Sequence, residues 1–307
     1  MNKKETLDVV EINGEFEKLD QRFELLEQRF RAVAMDYKYY IENSWDETEI
    51  YRLRDEVSYR LFSSRFHIEL LLRHHSLVKF QLEERFKKDS EYFANQYIGA
   101  NGTNPLFEHY QKQISAIFDS TIFHMTSAFD YMATLCNYVC GKQKQEKFKW
   151  TQIAKAVRDP NNPFFQTKIA KTIDSIDRNF TGKLYNHRSH LIHTQSDQNK
   201  YLFSMITAQK GVTFIPQFII GENLTREFNE LKSLSKKYNV TVVYATFWTI
   251  NMTLDKITEI LFALKDQMES FPKISYGNLV IFDKDTNSIK PVSSVYWNAE
   301  EYDDGKA

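Results

Sequence analysis

Proline and glycine are scarce in this chain, at six and nine of 307 residues. Short-stranded sandwiches need a turn signal about every 8–12 residues, so the shortage argues against a strand-rich fold and for long, seldom-broken helices. Cysteine is rarer still: only Cys136 and Cys140, one helical turn apart in LCNYVCG. Neighbouring thiols on one helix do not readily bridge, and without Cys or His partners at matching spacing they make no zinc motif. They read as buried thiols in a reducing compartment. Charge of one sign is also missing, with 40 Lys and Arg against 41 Asp and Glu and a net of -1. The chain as a whole therefore does not advertise nucleic-acid or membrane binding, and any basic footprint has to be local. The longest uncharged stretch, Asn239 to Leu254, is too short and too rich in Thr and Asn to cross a bilayer. The amino terminus, MNKKETLDVVEINGEFEK, lacks the apolar core of a signal peptide. We expect a cytoplasmic protein with no membrane partner, in which the Asn-x-Thr triplets are incidental.

What the chain does have is helical periodicity. Apolar residues make up 42% and charged residues 26%, enough for a sizeable core in a globular protein. Phe16, Leu19, Phe23, Leu26, Phe30, Val33, Tyr37 and Tyr40 recur at alternating spacings of three and four, which predicts a helix burying one narrow stripe. SWDE, Ser44 to Glu47, reads as a capping box that starts a second long helix. Its seam is Ile50, Leu53, Val57, Leu61, Ile68, Leu71, Val78 and Leu82, interrupted by Ser64 and His75. Two long helices with a short joint form an antiparallel hairpin. Aromatic residues at this spacing are core, not a base-stacking surface.

IGANGTNPL, Ile98 to Leu106, is the best domain boundary. Beyond it, Phe107 to Val139 predicts one long helix facing inward with Ile114, Ile117, Phe118, Ile122, Met125, Phe129, Met132 and Leu135. A short helix around KWTQIAKAVRD, a break at DPNNP and a helix over FFQTKIAKTIDSIDRNF follow, and Thr181-Gly182 separates that helix from the next. YLFSMIT, AQKG and VTFIPQFII read as strand, turn and strand. A helix over Leu224 to Lys237 leads into a long buried one, Val240 to Met268, and the tail carries a second small hairpin. The expected architecture is mainly α: an N-terminal helical hairpin over 1–98, a helical bundle over 105–272 with a β-hairpin near 201–219, and an extension over 273–307.

The segment KLYNHRSHLIHTQ, Lys183 to Gln195, concentrates one arginine and three histidines. At about 100° per residue, Leu184, Leu191 and Ile192 make its apolar stripe. Arg188 falls in the middle of that stripe, with Asn186, Ser189, His190 and His193 on the other side. A buried guanidinium needs a counter-charge, and Asp130 in SAFDYM is a candidate, as is a phosphate in a cleft or at a subunit interface. His187, His190 and His193 are each three apart, so they drift round the helix and do not converge on a metal; no metal or other cofactor is expected. An Arg-His pair suits RNA chemistry: histidine moves the 2′-hydroxyl proton near neutral pH, and the planar guanidinium matches two phosphate oxygens. From Phe165 to Lys200, six Lys or Arg stand against three Asp, a local +3 that suits either a phosphate-binding rim or a solvated helix face.

RSHLIH, Arg188 to His193, resembles the Arg-x4-6-His signature of the HEPN superfamily, and KLYNHRSHLIH resembles the Leu-Tyr-x-x-Arg-x-x-x-x-His start of that family's motif helix. FHMTSAFDYMATL and FKWTQIAKAV are similar to the family's preceding elements. The resemblance covers Pro105 to Asp197 and extends to Asn223 to Met268, leaving the first hundred residues outside it. It implies an all-α bundle that dimerises through its motif helices. It also implies a metal-independent ribonuclease of toxin-antitoxin or anti-phage abortive-infection type, with RNA as substrate and a cognate antitoxin or regulator as a further partner. By resemblance Arg188 would bind the scissile phosphate and His193 would act as general acid or base. Asn186, Ser189, His190 and Asp130 would be supporting residues, and the sequence leaves open whether His187 and His190 assist or stand by. Two positions depart from the pattern: Ser189 stands where Asn, Asp or His is common, and Gln195 where one subfamily has a modified tyrosine. The alternative is a non-catalytic bundle of the same fold that serves as a dimerisation or partner-binding module.

Overall fold

The computed structural model describes residues 4–41, 49–91, 105–141, 147–193, 200–208, 211–272, 280–284 and 286–298. The protein is mainly helical. Its helices are α1 (Ile12–Tyr40), α2 (Glu49–Lys88), α3 (Pro105–Cys140), α4 (Trp150–Ala156), α5 (Ala170–Ile176), α6 (Gly182–His193), α7 (Glu222–Glu227), α8 (Asn229–Lys237), α9 (Val242–Glu269) and α10 (Ser293–Trp297). The strands are β1 (Glu5–Leu7), β2 (Lys200–Ala208), β3 (Gly211–Ile219), β4 (Tyr238–Val240), β5 (Val280–Asp283) and β6 (Ser288–Pro291).

The periodicity translates directly into burial. All eight apolar seam residues of α2 are buried, as are six of the eight in α1; Phe16 and Phe23 are half-buried. On α3 seven of the eight inner positions are buried and Ile117 is half-buried. Each fully buried large side chain contributes about 1.5–3 kcal/mol relative to exposure, so these three stripes supply a large share of the fold's stability. Both cysteine thiols are free, and burial raises the pKa of each, Cys140 to about 12. The capping box expected at Ser44 to Glu47, the boundary at 98–104 and the joint between the first two helices lie outside the described residues.

The compact units do not follow the sequential division 1–98, 105–272 and 273–307. They interleave: one comprises Met1–Val10, Phe62–His124 and Lys183–Thr249, the other Glu11–Leu61, Met125–Gly182 and Ile250–Ala307. The long helices α2, α3 and α9 each give one segment to either unit, which a reading by sequence order does not anticipate.

In the first unit, β2 and β3 form the expected hairpin in antiparallel register, from Lys200 opposite Ile219 to Ala208 opposite Gly211. His75, the polar interruption of the α2 seam, donates from Nε2 to the Pro216 carbonyl at 2.9 Å and so ties α2 to β3. A parallel pairing of β1 with β4, Glu5 to Leu7 against Tyr238 to Val240, had no sequence signal because each strand is only three residues long. The Thr241 hydroxyl donates to Asp8 Oδ1 at 2.7 Å and fixes the same junction. The single helix expected from Leu224 to Lys237 is instead α7 and α8, broken at Phe228. That residue adopts extended backbone (φ -113°, ψ 119°) and packs its ring edge-on against Trp248 at 5.0 Å.

In the second unit, Trp150 is fully buried, packs on Phe129 and donates from Nε1 to Asp177 Oδ1 at 2.8 Å. Arg158 reaches the other oxygen of Asp177 at 2.6 Å and also binds Asp174. α10 returns to α1, where Ser293 and Trp297 both donate to the buried Asp36 carboxylate, Trp297 at 2.7 Å. The tail hairpin forms as expected, β5 with β6, and Asn287 takes the left-handed conformation (φ 49°) in its turn.

Candidate active site on the motif helix

Thr181-Gly182 does not break the chain. α5 runs through a π turn over Asp177–Thr181 into α6, and the Gly182 N–H donates to the Asp177 carbonyl, one residue further back than in an α-helix. A Cβ on Gly182 would lie 2.7 Å from that carbonyl oxygen, so the glycine permits the wide turn where a stop had been expected. Asp177 is clamped at the same time by Trp150 and Arg158, which fixes the backbone from which α6 departs.

α6 buries Leu184 and His187, leaves Leu191 and Arg188 half-buried, and exposes Ile192 by 56%. The buried face is thus centred on Leu184, His187 and Leu191, with Arg188 at its edge. The sequence reading, which counted only apolar residues, placed the centre one residue too far on. His187 is the reason for the difference: a histidine occupies a core position.

The Arg188 guanidinium lies over two aromatic rings, Phe123 of α3 at 5.8 Å and Tyr185 of its own helix at 5.7 Å. Both rings present their negative faces to the cation, which favours a half-buried guanidinium at this position. Asp130, the expected counter-charge, has work of its own in the other unit: its Oδ1 accepts the Trp150 backbone N–H at 2.9 Å at the start of α4. Asn186 and Ser189 are exposed, and the Asn186 amide makes a long 3.4 Å contact with Glu227 of α7. His190 is engaged more firmly. The Asn223 amide donates to its Nε2 at 2.5 Å, so the neutral ring carries its proton on Nδ1. His193 is exposed at the end of the helix.

No family model, curated protein or solved structure matches the chain. The site must therefore be judged on its own chemistry.

His187 and a pair of histidines outside the motif went unanticipated. His187 is 1% exposed with no hydrogen-bond partner at either ring nitrogen, and its pKa is pushed down to about 4, first by burial and then by His190. It is a neutral imidazole at physiological pH. The His67 and His124 rings meet at 4.8 Å, half-buried, and His67 Nδ1 donates to the Ser63 carbonyl at 2.7 Å, leaving Nε2 with its lone pair in the neutral ring. His124 is the neighbour of Phe123, so one turn of α3 supports both Arg188 and this pair. The two histidines stand 57 positions apart, which left no sequence pattern to find them by.

Among the described residues, no group of three or more His, Cys, Asp or Glu is placed to hold a metal ion, and no helix is long and apolar enough to cross a membrane. A separate cleft of about 720 Å³ in the second unit is lined by Tyr51, Tyr59, Tyr131, Arg52, Arg54 and Arg60, among others. Arg52 is paired with Glu49 and Glu56, and Arg54 with Asp55 at 2.7 Å, so two of its three arginines are already neutralised. That cleft makes a poor anion site.

Proposed function

We propose that the protein is a metal-independent endoribonuclease of HEPN type that acts as a homodimer. The observation that carries this reading is the pairing, on one helix, of a half-buried arginine packed over two aromatic rings with an exposed histidine at the helix end. A fixed guanidinium is preorganised for two phosphate oxygens and stabilises the dianionic phosphorane formed when the 2′-oxygen attacks. Histidine takes the 2′-hydroxyl proton and returns a proton to the departing 5′-oxygen, giving a 2′,3′-cyclic phosphate and a 5′-hydroxyl. Arg188 and His193 diverge by about 140° and are separated by about 7.5 Å along the axis of one helix. One phosphate therefore meets Arg188 of one copy and His193 of the other, which is why the reading requires a dimer.

The test is incubation of the full chain with transfer RNA and total RNA in EDTA, wild type beside Arg188→Ala and His193→Ala. Cleavage leaving a cyclic phosphate is expected, with each variant at least a hundredfold slower, and a one-to-one mixture of the two variants should regain part of the activity through mixed dimers. Cleavage unchanged in both variants refutes the assignment. No cleavage by an intact dimer leaves the chain as a helical partner-binding module.

A further inference from the structure

α2 has two apolar faces where a surface helix needs one. Its seam is buried in full, yet Phe62, Phe66, Leu70, Leu77 and Phe80, all within the first unit, are 57%, 51%, 40%, 49% and 60% exposed. At about 100° per residue these five fall within an 80° arc, opposite the buried seam. The arc's remaining central position is Arg73, which pairs with Glu69 one turn earlier. Single exposed apolar side chains are ordinary, but an aligned row of five over about 27 Å is not.

We propose that this face is a self-association surface, on which a second copy of the chain lays the same stretch of α2 antiparallel across a twofold axis. Three features favour a second copy over another occupant. First, the row is self-complementary. With the axis between residues 71 and 72, Phe66 meets Leu77, Leu70 meets Arg73, and Phe62 comes within one residue of Phe80, so the layers fill from end to end. Second, the charges agree with that register: Arg73 of one copy comes beside Glu69 and Phe66 of the other, so the cation nearest the axis gains an opposite charge and an aromatic face. The antiparallel arrangement also sets the helix dipoles head to tail. Third, the area suffices. At about 200 Å² for a large side chain, the five leave roughly 500 Å² per copy, and the doubled area reaches the lower bound of specific interfaces before the flanking polar residues are counted.

The surface stands apart from the ribonuclease reading, which demands a dimer without naming this helix. Sedimentation equilibrium of the full chain across the micromolar range should give a dimer, and Leu70→Arg, which sets a second guanidinium against Arg73 of the other copy on both sides of the axis, should raise its dissociation constant at least tenfold with the circular dichroism spectrum unchanged. Geometry is read by oxidation: Phe62→Cys and Phe80→Cys should cross-link when mixed or combined in one chain, and neither should cross-link alone, because each lies about 27 Å from its own copy. Wild type controls for the buried native thiols. A dimer indifferent to Leu70→Arg, or a Phe62→Cys protein that cross-links by itself, overturns this surface while leaving the composite active site standing. A monomer at every concentration overturns both.

Discussion

His187 should make the protein lose stability as pH falls from 7 to 5, by an amount set by its burial. Its imidazole is fully buried without a hydrogen-bond partner, and its pKa in the fold is about 4 against 6.5 for the free side chain. Above 6.5 the ring is neutral whether the chain is folded or not, and it adds no pH dependence. Between 6.5 and 4 the unfolded chain binds a proton that the folded chain refuses, so stability drops with each step of acid. Linkage puts the loss at about 2 kcal/mol by pH 5, levelling at about 3 kcal/mol below the folded pKa. Replacing His187 by Leu removes the titration. It should cost little at neutral pH, because a buried polar ring without partners gives way to an apolar chain of similar bulk. The assay is urea unfolding, followed by tryptophan fluorescence, at half-unit steps from pH 7.5 to 5. Burial also lowers the pKa of His74 and His75, but both persist in His187→Leu, so the difference between the two curves isolates His187. Parallel curves would refute the argument, since they would mean that the ring titrates as it does in water.

Two further substitutions test the frame around the site. Gly182→Ala should destabilise by about 1–2 kcal/mol, reversing the usual gain of about 1 kcal/mol for this change inside a helix, because the new Cβ meets the Asp177 carbonyl oxygen at 2.7 Å; a rise in the urea midpoint would show that the π turn relaxes freely. Asp36→Ala should cost about 2–4 kcal/mol by stranding two buried donors, whereas Asp36→Asn should stay within about 1 kcal/mol of wild type. The Asn oxygen still accepts from Trp297 and the Ser293 hydroxyl can turn to accept from the amide; equal midpoints for the two variants would refute that assignment.

The long helices were legible because a period of 3.6 imposed on eight successive apolar positions leaves few alternatives. Both hairpins were legible for the same kind of reason, alternation bounded by turn residues. What escaped the sequence depends on contacts between distant segments. β1 and β4 are too short to carry a pattern, and the division of the chain into units cuts through α2, α3 and α9, where the sequence has no seam at all. At the site, Arg188 was found from its anomalous position on an apolar face, and His193 from its spacing. The rings that hold Arg188 could not be read off: Phe123 lies 65 residues earlier and resembles any other core aromatic. His187 was passed over because only apolar residues were counted toward the buried face, and Gly182 because glycine was taken to mean a stop. Each inference follows a sound average, and each fails where one residue is put to an uncommon use.

The clasp on Asp36 also bears on how the chain is made. Its two donors lie 257 and 261 residues downstream, on α10. At ribosomal speeds of about 5–20 residues per second, α1 waits roughly 13–50 s for the groups that satisfy its carboxylate. Throughout that interval the nascent helix carries a buried-to-be acid that is better left in water, so this part of the second unit cannot be completed until α10 is made. A chain stalled before Ser293 would expose its unfinished core to chaperones and proteases, and abundance in the cell would track completed synthesis closely.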